Sequence, residues 1–338
     1  MKQLTFIKAG LLEWHEAKLP TLQADTDVLV RPLAVARCDL DFAAIAGRAP
    51  LPGPYAIGHE FIAEIVEMGD SVSSLNLGQK VIVPFQISCG KCRYCLRGFT
   101  GSCLAVPPMS MYGMPSNRGF WGGAMSDLVR VPFAENMLVK VPEGIEPKNI
   151  ASLSDNIVDG WRTVAPYLSN IVEAEVLIVG GGALSVGLYA AAIAVALGAK
   201  RVDYIDHDKT RLDIAQSVGA NPIDDKAYKQ AGSYQITVDA SANVDGLKCA
   251  ICCTEPEGIC TSVGIYFSES TPLPLNHMFY KGITFKTGRA NSRAGIPHVL
   301  ELINSGKLRP EKLTTKLATW DDAAEAFKDP SAKVVVAR

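Results

Sequence analysis

The sequence has little net charge: 33 Lys and Arg stand against 35 Asp and Glu, for a formal charge of -2 over 338 residues. Without a broad positive field it lacks what nucleic acid or an anionic membrane surface requires, so neither is expected as a partner. Internal repeats, low-complexity tracts and long linkers are also missing, which excludes solenoid and tail-like architectures. Residues Met1 to Gly10 mix Lys2, Gln3, Thr5 and Lys8 with apolar side chains and hold no continuous apolar stretch. They do not read as a secretory signal, and a cytoplasmic location is the expectation. The 24 residues from Val176 to Ala199 carry no charge and could suggest a membrane span. Gly180, Gly181 and Gly182 break that run near its start, leaving an apolar helix of about 22 Å, too short to cross a bilayer. A buried strand followed by a buried helix is expected there instead. Aromatics make up only 7% of the chain and form no stripe that would name a substrate.

What the chain does have is length enough for two domains, each able to fold without disulfides. Up to about Ser152 the pattern is short β-type runs (Val28 to Pro32, Phe61 to Met68, Lys80 to Pro84, Leu128 to Pro132, Met137 to Val141) between Gly, Pro and Asp turns. From about Leu153 the texture becomes strand and helix in alternation: Glu175 to Val179, Ala183 to Leu197, Val202 to Ile205, Lys209 to Val218, Ile236 to Asp239, Asp245 to Cys253 and Ile259 to Gly264. Such alternation predicts βαβ units and a parallel sheet. After Gly288, helices over Gly295 to Asn304 and Trp320 to Phe327 and a strand over Lys333 to Val336 are expected to return to the first domain. The fold class is therefore α/β, with domains over 1–152, 153–288 and a return over 289–338, and a cleft between the parts.

Nine cysteines are many for a reducing compartment unless metal or packing employs them. Cys89, Cys92, Cys95 and Cys103 follow one another as C-x2-C-x2-C-x7-C. Four soft thiolates on short turns meet the closed tetrahedral demand of zinc and leave no position for substrate, so this lobe reads as structural. Two disulfides, disfavoured by compartment, and an iron–sulfur centre are the competing readings. Lys91, Arg93 and Arg97 offset the thiolate charge under either metal. Cys249, Cys252 and Cys253 invite a redox reading, but their helix carries Leu247, Ala250 and Ile251, and core packing fits better.

Val176-Leu-Ile-Val-Gly180-Gly181-Gly182-Ala-Leu-Ser185 runs a buried strand into a glycine turn and a helix. Gly180 and Gly182 occupy the first two glycine positions of the dinucleotide fingerprint, where pyrophosphate approaches a helix N-terminus. The third position holds Ser185, whose side chain demands a slightly wider helix-to-strand contact. A second strand ends at Asp206, 24 residues after Gly182, placed to accept hydrogen bonds from ribose hydroxyls. Its charge would repel a 2′-phosphate, which favours NAD over NADP, although Arg211 and His207 offset part of this. The cofactor-binding candidates are Gly180, Gly181, Gly182, Ala183 and Leu184, then Asp206 and Arg211, and further along Val263, Gly264 and Arg289.

Cys38 lies in Val-Ala-Arg-Cys-Asp-Leu-Asp, His59 and Glu60 in Ile-Gly-His-Glu-Phe, and Asp155 in Ser-Leu-Ser-Asp-Asn. With these motifs the chain resembles the zinc-containing medium-chain alcohol dehydrogenases along almost its whole length. The four-cysteine lobe and the terminal Trp320-Asp-Asp-Ala-Ala-Glu-Ala-Phe327 segment fall in the same order. The resemblance implies a GroES-like catalytic domain formed by both chain ends, with a Rossmann domain inserted. It implies two zinc ions per chain, NAD, a small alcohol or aldehyde or ketone as substrate, and a homodimer or homotetramer. Carried over by position, Cys38, His59 and Asp155 look like the catalytic zinc ligands, leaving one place open. Glu60 resembles the carboxylate that can approach the metal during water exchange, and Asp41 the one that orients the histidine. Two anionic ligands and a neutral imidazole bring the site near zero charge, so that a bound alcohol can lose its proton and pass hydride to nicotinamide. Phe85 and Trp121, in the loop Gly119 to Gly123, are candidate pocket walls by the same resemblance, ahead of Tyr112, Trp161 and Phe267.

Two departures stand out. Many relatives carry Ser or Thr two residues after the cysteine ligand, as the start of a hydroxyl relay, where this chain has Leu40. Some carry a basic residue just after that cysteine, where this chain has Asp39. The competing functions are a related reductase that uses zinc only structurally, and a binding protein that keeps the fold without turnover. Retention of the Cys, His and carboxylate set argues against the first, and Leu40 and Ser185 are what keep the second in view.

Overall fold

The computed structural model describes residues 1–115, 120–229 and 231–338. Met1–Val158, Ala290–Glu301 and Thr314–Arg338 form one compact unit; Asp159–Arg289 and Leu302–Leu313 form the other. The first boundary falls inside the helix Asn156–Leu168, and the last turn of the helix Ser292–Asn304 belongs to the second unit.

The first unit is built on a seven-stranded sheet whose longest members, Val28–Ala36 and Glu60–Met68, pair antiparallel. Alternation along both strands sends Val28, Val30, Phe61, Ala63 and Ile65 into one core. The register shifts between Pro32 and Ala34, which is where a proline without an N–H can sit in an inner strand. On the other side of Val28–Ala36 lies the strand Val334–Ala337, also antiparallel, and beyond it Lys316–Thr319 runs parallel. A three-stranded sheet of Leu11–Glu16, Lys2–Lys8 and Tyr55–Ala56 completes the unit's strand layers. The expected helix over Trp320 to Phe327 shrinks to Ala323–Ala326, because Asp322 accepts from the Thr319 hydroxyl instead of capping its own helix. Met137 ends a short helix, Ala134–Met137, and only Val139–Lys140 is strand.

The second unit is a six-stranded sheet in the order Asn221–Asp224, Arg201–Asp206, Glu175–Val179, Tyr234–Asp239, Thr254–Ser262, Thr284–Thr287, parallel throughout. This is the doubly wound Rossmann order, in which ligands bind outside the carboxyl ends of the central strands. The helix Val186–Ala196 is apolar on every side and almost wholly buried. Among the described residues no helix is long and apolar enough to cross a membrane. Cys249, Cys253 and Cys260 lie in the core with Leu177, Ile205 and Leu247, and no two of the nine cysteines are joined by a disulfide.

Candidate functional site

Strand register assembles the first cluster. Ala36 and Glu60 are paired partners, so Cys38, two residues past one strand, meets His59, one residue before the other. Cys38 is the N-cap of the helix Asp39–Ile45: its sulfur accepts from Leu40 N–H at 3.4 Å, while Asp41 accepts from Cys38 N–H at 3.3 Å. This reciprocal capping box fixes both side chains at once. Asp155 follows the 3-10 turn Ala151–Ser154, which is held against the strand Glu60–Met68 by the Phe61 N–H to Ser154 Oγ bond at 2.8 Å. Asp155 Oδ2 then lies 3.3 Å from Cys38 Sγ and 3.4 Å from His59 Nε2. On the far side of the imidazole, Nδ1 is 3.5 Å from Asp41 Oδ1. Potential ligand atoms of Cys38, His59, Glu60 and Asp155 all fall within 4.8 Å of one another, and all four residues are buried.

The electrostatics are those of a pocket with too much negative charge. Burial pushes the Cys38 thiol well above its ordinary range, and Asp155, Glu60, Asp41 and Asp39 add to the effect. Burial works against the His59 proton, but Asp41, Asp155 and Glu60 outweigh it and hold the imidazole up at about 9. Burial likewise raises Glu60 to about 7, against the pull of Lys333. A divalent cation among a thiol, an imidazole and a carboxylate would relieve this excess, so the donor set fits zinc with one position to spare.

Sequence reasoning missed three residues here. Lys333, fully buried, places its ammonium 3.0 Å from Glu60 Oε2 and 2.9 Å from the Arg37 carbonyl. Its only signal was a lysine heading an otherwise apolar strand. Asn156 Oδ1 stands 3.4 Å from Cys38 Sγ, and Ser292 donates to the carbonyl of Ser154. Of the proposed walls, Phe85 packs on His59 with ring centroids 5.5 Å apart. Trp121 lies under the Arg130 guanidinium at 5.4 Å, and Gly119 of its loop lies outside the described residues. Tyr112 is no wall: it is fully buried, edge-on to Phe61, with its hydroxyl on the Arg130 carbonyl. Phe267 is about half exposed, and Trp161 lies in the helix Asn156–Leu168.

Cys89, Cys92, Cys95 and Cys103 also bring their sulfurs within 4.8 Å of one another. Backbone N–H groups of Cys92, Leu104 and Ala105 point at the sulfurs of Cys89, Cys92 and Cys103 at 3.3–3.4 Å. Such donors favour thiolates, and the set fits a closed four-sulfur site.

In the second unit the glycine turn is made by close approach. A side chain at Gly180 would strike the Tyr204 hydroxyl and Asp206, one at Gly181 the Ser241 carbonyl, and one at Gly182 the Ala242 methyl. Ala183 packs with Val186, Ala240 and Val263, which brings the turn to the end of the strand Thr254–Ser262. Leu184 is buried, Gly264 donates to the Ser262 hydroxyl, and Arg289 is exposed at the end of the unit. The tight helix-to-strand contact expected of the third glycine is supplied by Gly187, whose Cβ would lie 3.0 Å from that of Ala240. Asp206 is more heavily engaged than its sequence position suggests. Arg211 donates to both oxygens at 2.7 Å, Tyr204 to one at 3.1 Å, and His207 and Asp208 N–H to the other. Ribose hydroxyls would have to share these oxygens.

A GroES-like unit with a buried Cys–His–carboxylate set, joined in one chain to a Rossmann unit with a glycine turn, defines a two-unit oxidoreductase. Comparison with known proteins agrees. Residues 24–143 match the family described as alcohol dehydrogenase GroES-like domain, and residues 185–305 match the zinc-binding dehydrogenase family. Together the two matches span most of the chain, which belongs to the medium-chain dehydrogenase family. It is 27% identical to zinc-type alcohol dehydrogenase B of Aspergillus flavus, over 97% of this chain and 78% of that protein. It is 33% identical to a glutathione-independent formaldehyde dehydrogenase of Pseudomonas aeruginosa over 64% of this chain and 56% of that one. Among solved structures, alcohol dehydrogenase TADH from Thermus sp. ATN1 superposes with a TM-score of 0.89 at 28% identity, covering 100% of this chain and 99% of its own.

Proposed function

We propose that the protein is a zinc-dependent alcohol dehydrogenase that moves a hydride between a small alcohol, or its aldehyde or ketone, and NAD(H). The observation that carries this reading is the convergence of Cys38, His59 and Asp155 in one buried cluster. When bound there, zinc would supply Lewis-acid polarisation of the substrate oxygen. The chain's own residues do the rest. Asp41 Oδ1, 3.5 Å from His59 Nδ1, would pair with the imidazole on that side and leave Nε2 for the ligand position. Lys333 keeps the Glu60 charge compensated, and Phe85 covers the imidazole face. Leu40 brings no hydroxyl to this pocket, so proton release runs through another group or through water.

Cys89, Cys92, Cys95 and Cys103 would hold a second, structural zinc. The turn Gly180–Leu184 would receive the cofactor's pyrophosphate, with Val263, Gly264 and Arg289 toward its other end. NAD over NADP is supported by two carboxylates, Asp206 and Asp208, meeting a single guanidinium, Arg211, at the ribose end. That balance remains unfavourable to a further phosphate. A dimer or tetramer is part of the reading, supported by Leu275, Phe279 and Tyr280, which stand 65–81% exposed on one short helix. A cytoplasmic location is part of the reading, supported by nine cysteines with no disulfide among them.

The test is metal content together with a panel of alcohols and aldehydes, followed by reduced-cofactor absorbance with NAD and NADP in parallel. Two zinc ions per chain and turnover favouring NAD are expected. One zinc would point to a structural lobe only, and two zinc ions with no absorbance change on any substrate would sink the enzymatic reading.

A further inference from the structure

Asp155 is the ligand with the least local support: it follows a single 3-10 turn, whereas Cys38 and His59 are anchored by paired strands and a capped helix. What fixes the Ser154–Asp155 peptide is therefore informative. Its N–H donates to the Ser152 carbonyl at 3.2 Å. Its carbonyl oxygen accepts from Phe85 N–H at 3.4 Å and from the hydroxyl of Ser292.

Ser292 opens the helix Ser292–Asn304, 138 residues away in sequence from Ser154. A serine in a helix's first turn ordinarily gives its side chain to its own helix's free N–H groups. This one donates its hydroxyl out of the helix to Ser154 instead, and both residues are fully buried. The backbone around it is braced on the other side. Ser292 N–H donates to Gln86 Oε1 at 3.2 Å, and Asn291 Oδ1 accepts from Gly101 N–H, within the four-cysteine lobe, at 3.0 Å. Gly101 allows this closeness, since a Cβ there would lie 2.6 Å from the Gln86 amide. Two hydrogen bonds joined by the Asn291–Ser292 peptide bond thus lead from the lobe to the peptide that carries Asp155.

We infer that Ser292 is a positioning residue for the Asp155 carboxylate, and that through Asn291 it ties that ligand to the structural lobe. The inference rests on the reading of Asp155 as a metal ligand. It differs from a general packing role in one respect: loss of the Ser292 hydroxyl loosens one metal site and not the other.

The test uses the full chain with Ser292→Ala and Ser292→Thr. Metal release to a chromophoric chelator is followed at both sites, and amide hydrogen exchange over residues 153–156 is followed in the metal-free protein. With Ser292→Ala the catalytic cluster is expected to lose metal about 10–100-fold more readily, the range for removing an outer partner of a ligand, while the four-cysteine site is unchanged. Exchange at Asp155 rises, and Ser292→Thr restores both readouts. Wild-type exchange and wild-type release in Ser292→Ala would overturn the inference, as would equal weakening of both sites. Failure of the dehydrogenase reading shows separately, as missing turnover in the unsubstituted protein.

Discussion

At Lys333 the amino group lies inside the protein with no solvent exposure, 3.0 Å from Glu60 Oε2 and 2.9 Å from the Arg37 carbonyl. Breaking a buried pair by deleting one partner leaves the other charge stranded in low dielectric. Lys333→Met is therefore expected to destabilise the chain by about 3–5 kcal/mol. Adding Glu60→Gln removes the stranded charge, and the double variant should recover much of that loss in urea titrations. If the single and double variants are equally unstable, the pair is not the reason. The neighbouring residues show how legible the site was. His59 and Glu60 stand out locally as Gly-His-Glu, and Asp41 as the third helical residue after Cys38. Asp155 has no local signature and was readable only through resemblance. Lys333 offered only a lysine at the head of an apolar strand and Ser292 nothing, since their partners are 273 and 138 residues distant.

Among the elements, the helix Val186–Ala196 shows what its glycine does. Gly187 lets the helix lie against Ala240 and Ile178, so Gly187→Val should cost about 1–3 kcal/mol by overpacking, measured by thermal melting. A variant as stable as the parent would mean that the helix can simply move out. The short helix Ala134–Met137 is tied down differently: Glu135 accepts from Ser73 and Ser74 N–H at 2.8 and 2.7 Å. Those donors lower its carboxyl from 4.5 to about 2. A lowered folded-state value means that the charged form stabilises. The contribution is whole above the unfolded value near 4.5 and fades as the pH falls toward about 2. Glu135→Gln should therefore be less stable than the parent at pH 7 and converge on it in strong acid, as read by denaturant midpoints. A constant gap at every pH would argue for shape alone. Elements that form a continuous apolar run bounded by turn residues, such as Glu175–Val179, were plain in the sequence. The edge strands Asn221–Asp224 and Thr284–Thr287 were not, because an edge with polar, largely exposed residues has no alternation to detect.

Taken as a molecule, the chain builds its first unit from three separate stretches and its second from two. A fragment of residues 1–158 lacks both the strand Val334–Ala337 and Lys333, so it should show no cooperative melting where the full chain does. Cooperative melting of that fragment would mean the late segments are dispensable. Light scattering should find the mass of two or four chains of 36.2 kDa; a monomer at every concentration would remove the proposed assembly. The wide spacing of the Glu60–Lys333 pair also has a meaning in time. A ribosome releases Cys38, His59 and Glu60 long before it reaches residue 333, so the carboxylate waits through 273 residues of synthesis without its counter-ion. Completion of the buried cluster around Glu60 is thus a late event in the life of the nascent chain.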